Sequence, residues 1–482
     1  MPCMMAGRRR SVATVAATTA LLAVAWVAGG TGNRAHASVQ TPDFTVAPDQ
    51  GVVEGFAGFG AQLNQHVYAD ISGPPPGLPN MEAKVLGLGP QLVRIFFNAT
   101  EWTFADRMAS FLRTVDLARR AGSQINVTWQ GGTFAFATAN MPRFADVLAD
   151  LLDNRGVDSL WVTLFNEPNS TRITLPQYEQ VYRELDAALR DHGVRDRVHF
   201  MGGDLVGTQS PLGQSQADWF DYMATHMGDL LDAWSVHVYW DFWDTGKIER
   251  RLMTEVRTIV SAVPGGERRP VYVTEFGVRG LPTLEGETTT APGLWPDGSP
   301  LEETTAAAFE EGWFMVRAMQ LGFSGLAKWD LYPGQYDNGK GDYAILGPAA
   351  KGWPIRPIYR LLQLLRVTTE PRGGEIVEVV PAAGADPRKL LTAYASPAGG
   401  LTVVGLDTAG SAIEGSNDPV AYNIGGLPPN RLFRLFEWNA DGRGTNVEIG
   451  FLDSGPSGSI QFSAPAHAVF ALTNTSLGPL PW

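Results

Sequence analysis

The chain has 482 residues, 44% of them hydrophobic and 18% charged, which is enough to bury a large core in more than one domain and too apolar for a disordered chain. A formal charge of -13 argues against nucleic acid or an anionic lipid surface as partner. A single cysteine rules out an internal disulfide framework, and seven scattered histidines without an HExxH pair argue against a zinc enzyme, so neither metal nor cofactor is expected.

In chain order, "MPCMMAGRRR" is basic, "SVATVAATTALLAVAWVAGG" is uncharged and mostly apolar, and "AHA" at 35 to 37 has the small-x-small form of a cleavage site. Residues 1–37 therefore read as a secretion signal, which places the mature protein outside the cell with no stable membrane insertion. An uncleaved anchor is the alternative. Cleavage would remove Cys3 and the arginines at 8, 9, 10 and 34 with no acid, moving the formal charge from -13 to -17.

Eight short β-rich runs follow, at 53–60, 91–97, 124–130, 160–166, 198–204, 233–240, 270–277 and 324–332. Stretches of helical period lie between them. Phe104, Met108, Phe111, Leu112 and Val115 share one face before Gly122, and Tyr178, Val181, Tyr182, Leu185 and Leu189 share another after Thr174 and Pro176. "LVRIFF" and "WVTLF" are near-continuous apolar runs, as strands covered on both faces require. The pattern predicts an α/β chain with a (β/α)8 TIM barrel over residues 38–367. A doubly wound sheet is disfavoured because "GFAGFG" is not followed by a helix.

After the helical run "RPIYRLLQLLRV" the texture changes to short alternating segments such as "KLLTAYAS", "LTVVGL", "RLFRLFEW" and "HAVFALT". Residues 368–482 are predicted to form a C-terminal antiparallel β-sandwich, which residues 38–52 are placed to join.

Barrel chemistry sits at the C-terminal ends of the strands. Two predicted strands end there in glutamate: the fourth in "LWVTLFNEPN" with Glu167, and the seventh in "VYVTEFG" with Glu275. Two carboxyl groups facing each other meet the needs of glycosidic cleavage, one protonating the leaving oxygen while the other meets positive charge at the sugar carbon. A separation of about 5 to 5.5 Å would make Glu275 a nucleophile and Glu167 an acid and then a base, with retention of configuration. Asn166 can donate to a sugar hydroxyl. Acid work would need Glu167 protonated near neutral pH, with repulsion between two close carboxylates as one cause.

"FNEPN" and "TEFG" resemble the glycoside hydrolases of clan A, the retaining barrels with catalytic glutamates on strands four and seven. The resemblance extends to Arg94 after the second strand, "HVY" with His237 and Tyr239 on the sixth, and Trp329 on the eighth. It implies Glu167 as acid/base, Glu275 as nucleophile and Asn166 as partner of the sugar 2-hydroxyl. Tyr239 would then hydrogen-bond the nucleophile, Arg94 hold it ionised, His237 touch substrate or tune the acid, and Trp329 offer its ring to the sugar. Trp129 on the third strand and the aromatics Trp240, Phe242, Trp243, Trp295, Tyr336 and Tyr343 are further candidates for lining subsites. Among families 5, 30, 39 and 51, the appended sandwich resembles the last three, while "VTWQGG" departs from the histidine that family 5 commonly carries there.

The expectation is a secreted glycosidase hydrolysing O-glycosyl bonds of a poly- or oligosaccharide, with β-linkages favoured. An exo-acting arabinofuranosidase-like enzyme, a transglycosidase, and a non-catalytic carbohydrate-binding protein are the alternatives.

Overall fold

The computed structural model describes residues 41–69, 75–207, 210–279, 300–333, 343–440, 444–478 and 480–482. The segment 1–37 and the loop aromatics Trp295 and Tyr336 lie outside the described residues.

The first strand, β1 (Phe44–Val53), belongs to a second sheet, and the chain then enters a closed parallel barrel. The barrel strands are β2 (Phe59–Leu63), β3 (Leu92–Asn98), β4 (Gln124–Gln130), β5 (Leu160–Leu164), β6 (Val198–Val206), β7 (Ala233–Asp241), β8 (Val271–Arg279) and β9 (Gly325–Lys328). They pair in chain order, and β9 closes on β2 with Phe59 opposite Leu326. The eighth expected segment, 324–332, contains β9 but runs four residues beyond it, and six of the others overlap these strands over most of their length. The first does not: in "VEGFAGFG", Val53 ends β1, and Gly55 and Gly58 take φ of 67° and 88° in the crossing between sheets. The barrel strand starts only at Phe59. A Cβ at Gly60 would lie 1.5 Å from the Leu92 carbonyl oxygen, so glycine is what allows β2 to sit against β3.

Helices cover the barrel as the spacing requires. Leu175–Asp191 starts with a capping box in which Thr174 accepts from the Gln177 N–H and the Gln177 side chain accepts from the Thr174 N–H. Its predicted face, Tyr178, Val181, Tyr182, Leu185 and Leu189, is fully buried. Helix Ala105–Arg120 buries Phe111 and Val115 but leaves Phe104 47% exposed, because Phe104 is the N-cap and stands before the helix, with the Arg107 guanidinium over one ring face.

Helix Pro357–Thr368 leads to β10 (Glu375–Pro381), β11 (Lys389–Ala395), β12 (Leu401–Asp407), β13 (Pro419–Gly425), β14 (Leu432–Asn439), β15 (Thr445–Asp453), β16 (Ile460–Pro465) and β17 (Ala468–Thr473). With β1 these make one nine-stranded sheet in the order β15-β14-β17-β12-β11-β10-β1-β13-β16. All its pairs are antiparallel except β1 with β13. The sheet folds over its own core of Phe44, Val377, Val403, Tyr422, Phe433 and Phe470, which explains the sandwich-like alternation in the sequence. Its other face joins the barrel core through Tyr394, Leu406, Phe436 and Trp438. Polar contacts fix that junction: Trp438 Nε1 donates to the Pro357 carbonyl at 3.2 Å and Thr402 Oγ1 to the Thr368 carbonyl at 2.6 Å.

Candidate active site

Among the described residues at the C-terminal mouth of the barrel, three carboxylates gather around Arg94 and His237, and irregular backbone aims each of them. Beyond β5, Phe165 and Glu167 take φ of 66° and 52°, and Pro168 opens a single 3-10 turn. Asn169 fixes that turn by donating to the Val206 carbonyl at 2.7 Å and accepting from its N–H at 3.1 Å. On β6 the register against β7 shifts between Gly202 and Leu205, and Asp204 at φ 51° turns inward at the bulge. On β8 the register shifts again beside Glu275, so the adjacent Thr274 and Glu275 both reach the interior cluster. Left-handed conformations of non-glycine residues cost about 1 to 3 kcal/mol each and cluster where function requires them.

Arg94 is the hub. Its side chain is fully buried and all five N–H groups are used. Nε donates to Thr128 at 3.1 Å, Nη1 to Gln62 at 2.7 Å and Glu275 at 2.9 Å, and Nη2 to Asn166 and Asp204, each at 2.6 Å. Because the Asn166 oxygen faces Arg94, its NH2 end is the donor left for a ligand hydroxyl. Tyr239 donates to the other Glu275 oxygen. Burial, then the charge of Glu275, push the Tyr239 phenol far above its ordinary range, so it stays a neutral donor.

His237 lies between the acids. Nδ1 donates to Glu167 Oε1 at 3.0 Å and is 3.6 Å from Glu275 Oε2, while Nε2 is 3.6 Å from Asp204 Oδ1. Burial alone would pull the imidazole down, but the charges of Glu275 and Asp204 and the bond to Glu167 push it up to about 9. Burial likewise pushes the Glu167 carboxyl up, and the bond from His237 with the charges of His237 and Arg94 outweighs it, holding the group below the usual carboxylate range. The expectation of a protonated Glu167 at neutral pH is therefore corrected for the free molecule, since nearby cations win over repulsion between the acids. Burial opposes ionisation of Asp204 too, but Arg94 and His237 keep it ionised well below the usual range.

The two glutamates differ in exposure. The Glu167 side chain is 29% exposed and the Glu275 side chain 8%. One oxygen each of Glu167 and Glu275 and a ring nitrogen of His237 lie within 4.8 Å of one another.

Trp329 follows β9 and meets the cluster through Phe96, whose ring is 5.9 Å from the Trp329 ring and 4.5 Å from the Arg94 guanidinium carbon. Tyr343 packs edge-on against Tyr239 at 5.5 Å. Trp129 is not brought to the site, which corrects the expectation that it lines a sugar subsite. On β4 the residues facing the barrel interior are Asn126 and Thr128, which bond each other at 2.8 Å. Trp129 alternates outward and is buried among Phe97, Trp102 and Phe144. Trp240 likewise stacks on Phe314 at 4.8 Å and donates to Glu310 at 3.0 Å, and Phe242 is buried in the same core. Asp204, Gln62 and Thr128 escaped the sequence reading. Asp204 ends the predicted fifth strand, so the rule that found the glutamates could have found it had aspartate been included.

The geometry is a parallel eight-stranded barrel with facing glutamates after its fourth strand and on its seventh. No protein-family model matches the chain, and no curated protein matches it in sequence. Solved structures do match in fold. The catalytic domain of GH30 xylanase C from Talaromyces cellulolyticus aligns with a TM-score of 0.61 at 11% identity, covering 90% of this chain and 100% of that one. An endo-β1,6-glucanase aligns at 0.62 and 12% identity, covering 91% and 96%. A family 51 α-L-arabinofuranosidase from Bifidobacterium longum aligns at 0.57 and 14% identity, covering 90% and 99%. These likenesses establish the fold.

Proposed function

We propose that the protein is a secreted retaining glycoside hydrolase that cleaves β-linked poly- or oligosaccharides by double displacement, with Glu275 as nucleophile and Glu167 as acid and then base. The observation that carries this reading is the approach of Glu167 and Glu275 oxygens to within 4.8 Å, with Glu275 clamped by Arg94 and Tyr239 and Glu167 open to the cleft. Inverting enzymes need room for a water between carboxyl groups about 6.5 to 9.5 Å apart, and one oxygen of each glutamate within 4.8 Å supports the closer spacing of a retaining pair. The Arg94 and Tyr239 bonds orient the Glu275 carboxylate for in-line attack, and the cluster around Arg94 sets three carboxylates against two cations where an oxocarbenium ion develops. Asn166 offers its NH2 to a sugar hydroxyl, and Trp329 offers an apolar ring face to the sugar C–H groups.

The substrate and partner is a carbohydrate. Export through residues 1–37 is supported by the basic, apolar and small-residue pattern of that segment, and no described helix is long and apolar enough to cross a membrane. The functional division is catalytic over 38–367, with β1 lent to the sheet, and structural over 368–482. An arabinofuranosidase-like activity is the second reading, supported by the family 51 likeness. Product release by residues 38–482 and by Glu275→Ala from a panel of aryl glycosides and polysaccharides tests the proposal. Cleavage by the wild type alone is expected. Sugar binding without turnover by either protein would leave a carbohydrate-binding protein instead, and turnover by Glu275→Ala would remove the nucleophile assignment.

A further inference from the structure

General-acid chemistry needs a proton on Glu167, yet in the free molecule that carboxyl is held ionised. The nearest proton sits on His237, whose Nδ1 is 3.0 Å from Glu167 Oε1. Behind the ring, 3.6 Å from Nε2, stands Asp204 Oδ1. Asp204 is fully buried and its side chain is bonded to buried groups. Its Oδ2 accepts from Arg94 at 2.6 Å, its Oδ1 accepts from Ser235 Oγ at 2.7 Å and Thr274 Oγ1 at 2.6 Å, and its own N–H donates to Ser235 Oγ at 2.8 Å. A carboxylate fixed in this way cannot reach a substrate. It acts as a standing negative charge beneath the imidazole.

The groups facing His237 from each surrounding element are Glu167 beyond β5, Asp204 on β6, Glu275 on β8 and, across these acids, Arg94 on β3. Ser235 and Tyr239 on its own strand are neutral donors to Asp204 and Glu275. Glu275 and Asp204 are both paired with Arg94, but Glu275 is consumed as the proposed nucleophile, and Glu167 must change its own charge. Only Asp204 keeps a constant charge through a turnover.

We infer that Asp204 is a positioning residue that stores the general acid's proton on His237, and that Glu167 collects this proton through the Nδ1–Oε1 contact when substrate is seated. The inference rests on the glycosidase reading and states how its acid becomes charged. A leaving group lying over Glu167 strips water from the one exposed acid of the cluster, which raises the cost of its negative charge and draws the proton from Nδ1 to Oε1. Glu275 then attacks the anomeric carbon, the bond to the leaving oxygen breaks, and that oxygen takes the proton from Glu167. In the second half water attacks the anomeric carbon, the bond to Glu275 breaks, and the proton released by water returns through Glu167 to His237 Nδ1. The balance is one water added across one glycosidic bond, with the proton on His237 restored. Burial pulls the ring down, and the charge of Glu275, then the charge and bond of Asp204, push it up to about 9, which agrees with the store being full at neutral pH.

The test is an NMR titration of the His237 ring in histidine-labelled wild type and Asp204→Asn, with His237→Asn identifying the resonance, beside kcat against pH for both proteins. We expect the wild-type ring to remain imidazolium past pH 8. In Asp204→Asn its titration should move down by about 1 to 3 pH units, the usual effect of losing a close opposite charge, and the basic limb of kcat should follow. A lower melting temperature with both titration and limb unmoved would make Asp204 merely structural and overturn the inference. If Asp204→Asn does not fold, the wild type still decides, because a neutral His237 ring at pH 7 overturns the store. Glycoside cleavage with a neutral ring would leave the glycosidase reading standing without the store. A charged ring in a protein that cleaves no glycoside would overturn the glycosidase reading and, with it, the role given to the stored proton.

Discussion

Arg94→Lys keeps the charge at the hub and removes the fork, so it isolates what the five bonds contribute. The ammonium of lysine has three donors where the guanidinium has five, and Glu275 and Asp204 would claim two of them. At least two of Gln62, Thr128 and Asn166 then lose their bond to the hub. A buried acceptor left unsatisfied costs about 1 to 3 kcal/mol, so the substitution should destabilise the protein by about 2 to 6 kcal/mol. That is a large part of the roughly 5 to 15 kcal/mol available to a folded domain. Urea unfolding read by tryptophan fluorescence measures it, with equal slopes required before midpoints are compared. A variant within about 0.5 kcal/mol of wild type would refute the reasoning, because substitutions outside special features usually fall in that range.

Three further outcomes follow from the same geometry. His237, raised from 6.5 to about 9 with a fully buried side chain, contributes stability that is complete below pH 6.5 and is lost as pH rises through 9, about 3 kcal/mol in all. Unfolding midpoints that stay flat from pH 6 to 10 would contradict it. Glu167→Gln should lower turnover by about 100- to 10,000-fold on substrates with poor leaving groups and far less on dinitrophenyl glycosides, which depart without a proton. A uniform loss across leaving groups would argue against the acid role. Trp129→Ala should cost about 3 to 5 kcal/mol of stability and leave KM unchanged at a temperature where it is folded, whereas Trp329→Ala should raise KM with little loss of stability. Substrate affinity that depends on Trp129 would return that residue to the site.

The barrel was legible because its strands are buried on both faces and leave near-continuous apolar runs, and because capped helices such as Leu175–Asp191 carry their face in plain spacing. The boundary at β2 was not, since "VEGFAGFG" contributes one residue to the outer sheet and two to the barrel, with glycines taking the chain between them. Glu167 and Glu275 could be found by the rule that strand ends carry chemistry. Asp204 also ends a predicted strand and was open to the same rule, but its turn inward depends on a bulge at Gly203, where φ is 120° and a Cβ would lie 2.3 Å from the Ser235 carbonyl oxygen, and no alternating pattern announces that turn. Trp129 and Trp240 were aromatic and near the mouth, but strand parity aims both at the helices. The ionisation of Glu167 depends on Arg94 and His237, which converge on it from strands far apart in the chain. Proximity of two acids alone suggested the opposite sign.

The measurement closest to the central claim is mass analysis of the protein after incubation with a 2-deoxy-2-fluoro aryl glycoside of whichever sugar the substrate panel identifies. The fluorine slows both steps and the activated aryl group restores the first, so a covalent glycosyl-enzyme should accumulate. The account predicts one sugar attached to the peptide containing Glu275. An adduct on another residue, or turnover with inverted product and no adduct, would contradict it.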